Sequence, residues 1–191
     1  MRVLYVSGSP RKNSNTDYLL KETLSLTGGE LLKIADYHVE PCRSCWSCVK
    51  SGKCAIDDDM SHKLIPQVLT ADIVVLGTPV YFNNVSGQLK IFMDRTWCIK
   101  GQLRNRIGGA VVVGRRDGAE SAITAIQAFF LKHEMLPANR GVHGRAFATG
   151  EIADDPEAIE SARKLGARLI ELEALLGFRG RKKRRTLFGL L

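Results

Sequence analysis

Residues 2–16 read RVLYVSGSPRKNSNT, and this segment is the strongest indication of the fold class. Its first part, Arg2–Ser7, is a short apolar run that stops at Gly8-Ser9-Pro10 and predicts a buried parallel strand. A helical pattern begins at Asn15, directly after a run of residue types that commonly cap helices. Strand, loop and helix in this order predict the first βα unit of an α/β fold.

The rest of the chain repeats this alternation, which gives five βα units. The other predicted strands are residues 30–34, 72–77, 107–113 and 141–149, and the predicted helices are residues 15–26, 57–69, 85–95, 119–133 and 156–176. Such alternation predicts a doubly wound parallel sheet with helices on both faces. Ligands bind these sheets beyond the carboxyl ends of the strands. The predicted site is therefore formed by the loops at residues 8–16, 78–84 and 114–118.

The loop after the first strand suits a terminal phosphate. A helix N-terminus presents unpaired N–H groups and the positive end of the helix dipole, while Arg11 and Lys12 add positive charge. The loop lacks Gly-x-Gly-x-x-Gly and Gly-x-x-x-x-Gly-Lys, which disfavours a dinucleotide or a nucleoside triphosphate. A capped turn that binds nothing is the alternative. The candidate phosphate-binding residues are Ser7, Ser9, Pro10, Arg11, Lys12, Ser14, Asn15 and Thr16.

Composition and charge predict one domain, residues 1–176, followed by a basic tail, residues 177–191. Of the 28 basic residues, six lie between Leu176 and Leu191 with no acid among them, so the remaining 22 nearly balance the 20 acidic residues. We expect the tail to be a solvated helix end that packs on a neighbouring subunit and does not bind nucleic acid. Binding to anionic lipid or to another partner is the alternative. No apolar run reaches the roughly 20 residues of a membrane span, and we expect a cytoplasmic protein.

Three motifs follow one another along the chain. Gly8-Ser9-Pro10-Arg11 with Ser14-Asn15-Thr16 is followed by Thr78-Pro79-Val80-Tyr81-Phe82 and then by Lys90-x-x-x-Asp94-Arg95. Together they resemble the NADPH-dependent FMN reductase family, and within it the chain is most similar to the iron–sulfur flavoproteins. The resemblance covers about residues 1–136. It implies a flavodoxin-like five-stranded sheet in the order 2-1-3-4-5, bound FMN, and a homodimer or homotetramer built around the flavin site.

The loop after the third strand is expected to contact the flavin ring. Pro79 fixes its φ and shapes the turn. We expect the backbone N–H groups of residues 80–83 to face the ring edge, and Tyr81 and Phe82 to supply an apolar wall. A plain strand-to-helix turn with an aromatic side chain in the core is the alternative. The candidates are Thr78, Pro79, Val80, Tyr81, Phe82 and Asn83.

The loop after the fourth strand, Gly114-Arg115-Arg116-Asp117-Gly118, contains two glycines that permit a tight turn close to a ligand. An arginine near flavin N1 would favour the anionic reduced flavin. The candidates are Gly114, Arg115, Arg116 and Asp117, and a polar surface turn is the alternative. Lys90, Asp94 and Arg95 are interpreted as structural or as subunit contacts.

Four cysteines, Cys42-x-x-Cys45-x-x-Cys48-x5-Cys54, lie in one short segment. Thiolates are soft ligands for iron–sulfur clusters or zinc. The close steps are typical of ferredoxin clusters, whereas structural zinc usually uses two separated pairs. We therefore predict a 4Fe-4S cluster, with zinc or no metal as alternatives. The fifth cysteine, Cys98, is interpreted as a small buried side chain.

These predictions combine into an FMN-dependent electron-transfer oxidoreductase. A one-electron carrier such as ferredoxin would supply the cluster, and FMN would pass electrons to an acceptor. The cofactor carries the chemistry, so no catalytic side chain is assigned. One alternative is an NAD(P)H-dependent FMN or quinone reductase without a cluster. The other is a zinc-stabilised FMN-binding module.

Overall fold

The computed structural model describes residues 1–177, so the predicted basic tail lies, apart from Gly177, outside the described residues. The strands in this part are β1 (Val3–Ser7), β2 (Glu30–Lys33), β3 (Ile73–Pro79), β4 (Ile107–Gly114), β5 (Leu136–Pro137) and β6 (Val142–Arg145). The helices are α1 (Asn15–Thr27), α2 (Ser47–Ser51), α3 (Ile65–Thr70), α4 (Gly87–Arg95), α5 (Ala119–Lys132) and α6 (Pro156–Leu176).

The strands form one parallel sheet in the order β2-β1-β3-β4-β5, which confirms the predicted flavodoxin-like order. The fifth position holds two short strands, because both β5 and β6 pair with β4. The predicted strand at residues 141–149 corresponds to β6 alone. Between the two, Asn139 leaves the ladder and its side-chain oxygen accepts the N–H of Gly141 at 2.9 Å.

Helices cover both faces of the sheet, as predicted. Leu4 and Val6 of β1 belong to a core with residues of α3, α4 and α5. Val3 and Tyr5 belong to a second core with residues of α1 and α6. Successive side chains of a strand point to opposite faces, so a strand between two helical layers is apolar throughout. All the parallel strands therefore end at the same edge, where the predicted site lies.

The connection from β2 to β3 differs from the prediction. The predicted helix at residues 57–69 consists of a π-helical turn, Met60–Leu64, and the short helix α3. Pro66 stands in the first turn of α3, directly after the π-helical turn, where the regular α-helical hydrogen-bond pattern is already interrupted. The cysteine segment before it contains α2, which the sequence pattern does not reveal.

Candidate functional site

The loop between β1 and α1 presents free backbone donors. Ser14 caps α1, its Oγ accepting the N–H of Asp17 at 3.0 Å. The N–H groups of Asn15 and Thr16 open the helix and donate to no atom of residues 1–177. N–H groups at the positive end of a helix dipole are donors of the kind that bind anions.

Two side chains of this loop, those of Ser7 and Asn15, are engaged in holding its shape. The Ser7 hydroxyl donates to Asp17 and accepts the N–H of Ser9 at 3.3 Å, so it is already engaged and fully buried. The Asn15 amide donates to the Ala148 carbonyl at 2.7 Å and accepts the N–H of Gly150 at 2.9 Å. Asn15 is therefore left with its backbone N–H for a phosphate.

Arg11 and Lys12 give this loop two positive charges. Arg11 and Lys12 are exposed, and neither pairs with an acid in the described chain. One Arg11 N–H donates to the Phe147 carbonyl at 3.0 Å, which places the guanidinium beside the loop after β6. Both cations remain available to an anion at the start of α1.

The sequence did not indicate the role of Asp17 and Lys33, which hydrogen-bond to residues of the loop between β1 and α1. Lys33 Nζ donates to the Asp17 carboxylate at 2.5 Å and also to the carbonyl of Arg11. Lys33 stands opposite Ser7 in the parallel register of β1 and β2. The lysine at a strand end becomes interpretable only once that pairing is known.

The loop from Thr78 to Asn84 has fewer free donors than predicted. The Val80 N–H donates to the Val113 carbonyl at 2.8 Å, and the Tyr81 N–H donates to the Asn84 carbonyl at 2.9 Å. The buried Thr78 hydroxyl accepts the N–H of Ser86 at 2.9 Å and donates to a backbone carbonyl. In this loop, only the N–H groups of residues 82 and 83 are without a described acceptor.

Phe82 and Asn83 form the tip of a tight turn. Their φ angles are 46° and 59°, and the turn is closed by paired hydrogen bonds between Tyr81 and Asn84. A bulky residue at positive φ is an outlier, and such strain clusters at ligand sites. The Phe82 side chain is 106% exposed, so the alternative of a core aromatic does not fit it. The tip offers two N–H groups and an uncovered aromatic ring.

The loop after β4 packs tightly against this turn. Gly118 has a φ of +85°, and a Cβ there would lie 2.5 Å from the Asn83 Cα. Only glycine fits such an approach. Arg115 stacks over the Phe147 ring at 4.8 Å, while Arg116 and Asp117 are exposed. On the other side, the Ser86 hydroxyl donates to the Gly8 carbonyl at 2.6 Å, so the three predicted loops form one assembly.

The four clustered cysteines line one cavity of about 360 Å³. Cys42 and Cys45 are exposed, and Cys48 and Cys54 are half-buried. Their thiols suit soft metals, but they are not drawn together. Within residues 1–177, no group of three or more His, Cys, Asp or Glu side chains is placed to hold a metal ion. The cavity thus contains four thiols that suit a soft metal, but these thiols do not form a complete metal site.

Cys98 lines the same cavity and is buried, as predicted. Its Sγ donates to the Arg95 carbonyl at 3.3 Å, and burial raises the pKa of this thiol to about 11. Hydrogen bonds from Ser47 lower the pKa of the exposed Cys45 thiol. Because metals bind thiolates, Cys45 has the electronic character of a ligand and Cys98 does not.

A buried ion pair fixes the two ends of the cysteine loop, the segment from Cys42 to Cys54. The residues just before and just after this segment are called its stems. The Arg95 guanidinium makes two hydrogen bonds to the Asp58 carboxylate, at 2.6 and 2.8 Å, and both side chains are fully buried. Asp58 also accepts the N–H of Glu40 at 2.9 Å. Burial opposes the charge of Asp58, but its hydrogen bonds, above all from Arg95, lower its pKa to about 2. The structural interpretation of Arg95 thus agrees with this geometry.

The sequence model of the NADPH-dependent FMN reductase family matches residues 1–149. The chain belongs to this family. It is 38% identical to an iron-sulfur flavoprotein of Methanocaldococcus jannaschii, over 92% of this chain and 99% of that protein. It is 33% identical to an iron-sulfur flavoprotein of Archaeoglobus fulgidus, over 90% and 95% of the two chains. These findings confirm the resemblance drawn from the three motifs.

Solved structures agree on the fold of this FMN reductase family member. The structure of RosB with bound 8-demethyl-8-formylriboflavin-5'-phosphate superposes with a TM-score of 0.77, covering 100% of this chain and 90% of that chain. The identity is 15%, so the likeness concerns the fold alone. As a member of the family, the chain is a flavin-dependent oxidoreductase. In residues 1–177, no helix is both long and apolar enough to cross a membrane.

In this FMN reductase family member, α4 separates the loop assembly from the cysteine cavity. The Thr78–Asn84 loop leads into the first turn of α4, whereas Asp94 and Arg95 in its last turn line the cavity. Nine helical residues span about 13 Å. The two regions therefore occupy opposite ends of one short helix.

Proposed function

We propose that the chain is an iron–sulfur flavoprotein that passes electrons between a one-electron carrier such as ferredoxin, a 4Fe-4S cluster and FMN. The observation that carries this proposal is the presence of four clustered thiols around one cavity on a chain that also has the loops of an FMN reductase. The names of the two relatives described above support it.

The loop assembly fits FMN in its donors and shape. The N–H groups of Asn15 and Thr16, with Arg11 and Lys12, would hold the phosphate. The N–H groups of Phe82 and Asn83 would face the ring edge, with the Phe82 ring beside it. When bound, FMN supplies one- and two-electron chemistry, and the protein contributes binding, orientation and electrostatics.

The cysteine loop fits a cluster in its donor chemistry. Cys42, Cys45, Cys48 and Cys54 would be the ligands, and the exposed Lys50 and Lys53 would offset the negative charge. Four thiols line one cavity, which matches the four-cysteine ligand set of a 4Fe-4S cluster. Structural zinc usually takes its cysteines from two separated pairs, which is not the spacing of Cys42, Cys45, Cys48 and Cys54.

Assembly and location are parts of the same proposal. The exposed Tyr81 and Phe82 at the loop tip support a homodimer or homotetramer that covers them. All five cysteines are free thiols, which supports a reducing, cytoplasmic environment.

An anaerobic preparation tests the proposal through its visible spectrum and metal content. We expect about one FMN, four iron and four sulfide per chain, with flavin peaks over broad iron–sulfur absorbance. Flavin without iron would overturn the cluster, and stoichiometric zinc would support the zinc-stabilised module instead.

A second candidate function is an NAD(P)H-dependent FMN or quinone reductase without a cluster, and the family name favours it. Mixing the oxidised protein with NADPH or with reduced ferredoxin separates the two. Rapid bleaching of the flavin by NADPH alone would favour the second candidate, whereas bleaching that needs ferredoxin and bound iron would favour the first.

A further inference from the structure

The buried Arg95 guanidinium uses four of its five N–H donors in the stems of the cysteine loop. One terminal nitrogen donates to the Glu40 carbonyl at 2.7 Å and to Asp58 at 2.6 Å. The other donates to Asp58 at 2.8 Å and to the Ser61 hydroxyl at 3.1 Å. These bonds connect the residues before and after the four cysteines, so Arg95 fixes the loop at both ends.

The fifth donor, the Nε–H of Arg95, is unused. This nitrogen is buried and has no hydrogen-bond partner among residues 1–177. Buried donors are nearly always paired, so an unpaired one on a cationic side chain requires an explanation. The explanation is not a crowded apolar core, because Arg95 lines the cavity that the cysteines share.

Cys54 and Arg95 line the same cavity, and the Nε–H of Arg95 is buried without an acceptor among residues 1–177. Burial opposes the charge of Arg95, yet its pKa is raised by the hydrogen bond to Asp58 and by nearby negative charge. A sulfur carrying negative charge would make a charge-assisted bond with this guanidinium.

We propose that the Nε–H of Arg95 donates a hydrogen bond to the Cys54 sulfur when the cluster is bound, and that this bond favours the reduced cluster. The inference rests on the proposed function. Reduction adds one electron and makes the cluster more negative, so a neighbouring cation with an N–H···S bond stabilises the reduced form. Hydrogen bonds to sulfur are among the factors that set cluster potentials. Arg95 is a positioning residue in this scheme.

Arg95→Lys tests the role of the fixed donor. Lysine keeps the positive charge beside Asp58 but lacks the planar fork that aims Nε–H at a second acceptor. The matched control is Arg43→Lys, because Arg43 lies on the same loop, pairs with Glu40, and is 65% exposed on its side chain. The flavin is an internal control in every sample, since its loops lie at the other end of α4.

The measurement is an anaerobic redox titration of the wild type and both variants, followed by EPR for the cluster and by absorbance for the flavin. For Arg95→Lys we expect at least a tenfold lower equilibrium constant for cluster reduction, or about 59 mV for a one-electron couple. Arg43→Lys should change this constant by less than threefold, and the flavin potential should not move. An unchanged cluster potential in iron-loaded Arg95→Lys would overturn the inference and leave the proposed function intact.

A second measurement needs no Arg95 variant to fold. The wild type and Arg43→Lys are labelled with ¹⁵N-arginine, and the reduced cluster is probed by pulsed EPR. A ¹⁵N coupling that is present in both proteins supports the bond from Arg95. Its absence from the iron-loaded wild type, or its loss in Arg43→Lys, overturns it. A wild type without iron would overturn the proposed function and this inference together.

Discussion

The two ends of α4 are built in opposite ways. At its start, three loops are fixed against one another by the Ser86–Gly8 hydrogen bond and by the close approach of Gly118 to Asn83. At its end, only the stems of the cysteine loop are fixed, through Asp58 and Arg95, while the thiols between them are spread around a cavity. The loops at the start of α4 are thus held together by the fold, whereas under the proposed function the thiols at its end would be brought together by a bound cluster.

The largest expected effect comes from removing one thiol. Cys54→Ser should abolish iron loading, because a cluster with three thiolates on an open loop is poorly held. FMN affinity should stay within about threefold of the wild-type value, since the flavin loops are formed independently. Iron analysis and FMN titration of the same samples measure both.

Cys98→Ser is the matched control for that experiment. Cys98 lies in the same cavity but has a raised pKa, so its loss should leave iron content unchanged. Equal iron loss in the two variants, or a large loss of FMN affinity in Cys54→Ser, would contradict the contrast between the regions.

Asp58→Asn should produce the next largest effect. It leaves the buried Arg95 charge without a partner, and breaking such a pair costs about 3–5 kcal/mol of unfolding free energy. Asp94→Asn removes an exposed helical pair with Lys90 and should change stability by less than about 0.5 kcal/mol. Urea unfolding of both variants measures the difference, and similar losses would refute the role of the stems.

Acid should weaken the packing just past the end of α4 by a smaller amount. His133 binds the Thr96 hydroxyl at 2.9 Å, and burial, aided by Lys100, lowers its pKa to about 4. The unfolded chain takes up a proton below about pH 6.5 while the folded chain does not, so stability falls as the pH drops towards 4. We expect a loss of about 2 kcal/mol between pH 7 and pH 5.

Unfolding at several pH values checks this in the wild type and in His133→Gln, where this loss should disappear. His62→Gln is the matched substitution at an exposed histidine beside Asp57, which measures separately the effect of removing a surface histidine. A full pH dependence in His133→Gln would exclude the buried histidine as its source.

The sequence predicts the regions unequally, for a physical reason. The strand order follows from the family resemblance, and the three loops follow from periodicity and from where parallel strands end, so residues 8–16, 78–84 and 114–118 come together as expected. The sequence does not reveal which hydroxyl and N–H groups are free to bind a ligand, because that depends on their hydrogen-bond partners in the folded chain. The Ser7 hydroxyl and the Val80 N–H looked free and are engaged.

Contacts between residues that are far apart in the sequence could not be predicted either. Asp58 and Arg95 are 37 residues apart, and no periodic signal joins them. Asp58 accepts the Ser61 N–H at 3.2 Å, as a residue at the start of a helical turn often does, but its main partner is Arg95. The division of the fifth strand into β5 and β6 also gives no signal in the sequence. It is accompanied by a local hydrogen bond from the Gly141 N–H to the Asn139 side-chain oxygen.

Gly118→Ala should have the smallest of these effects, confined to the flavin end. The added Cβ would collide with Asn83 and strain a positive φ, so we expect FMN affinity to fall about tenfold. Gly87→Ala is the control, because nothing lies within 4 Å of its added Cβ. Iron loading should be unchanged in both, and iron loss in Gly118→Ala would show that the regions are coupled.

The most direct test of two redox sites on one chain is a reductive titration of the anaerobic protein with a strong reductant. A cluster takes one electron and FMN takes two, so uptake of about three electrons per chain is predicted, with an EPR signal from the reduced cluster. Uptake of about two electrons without that signal would contradict the account and leave a flavin that works alone.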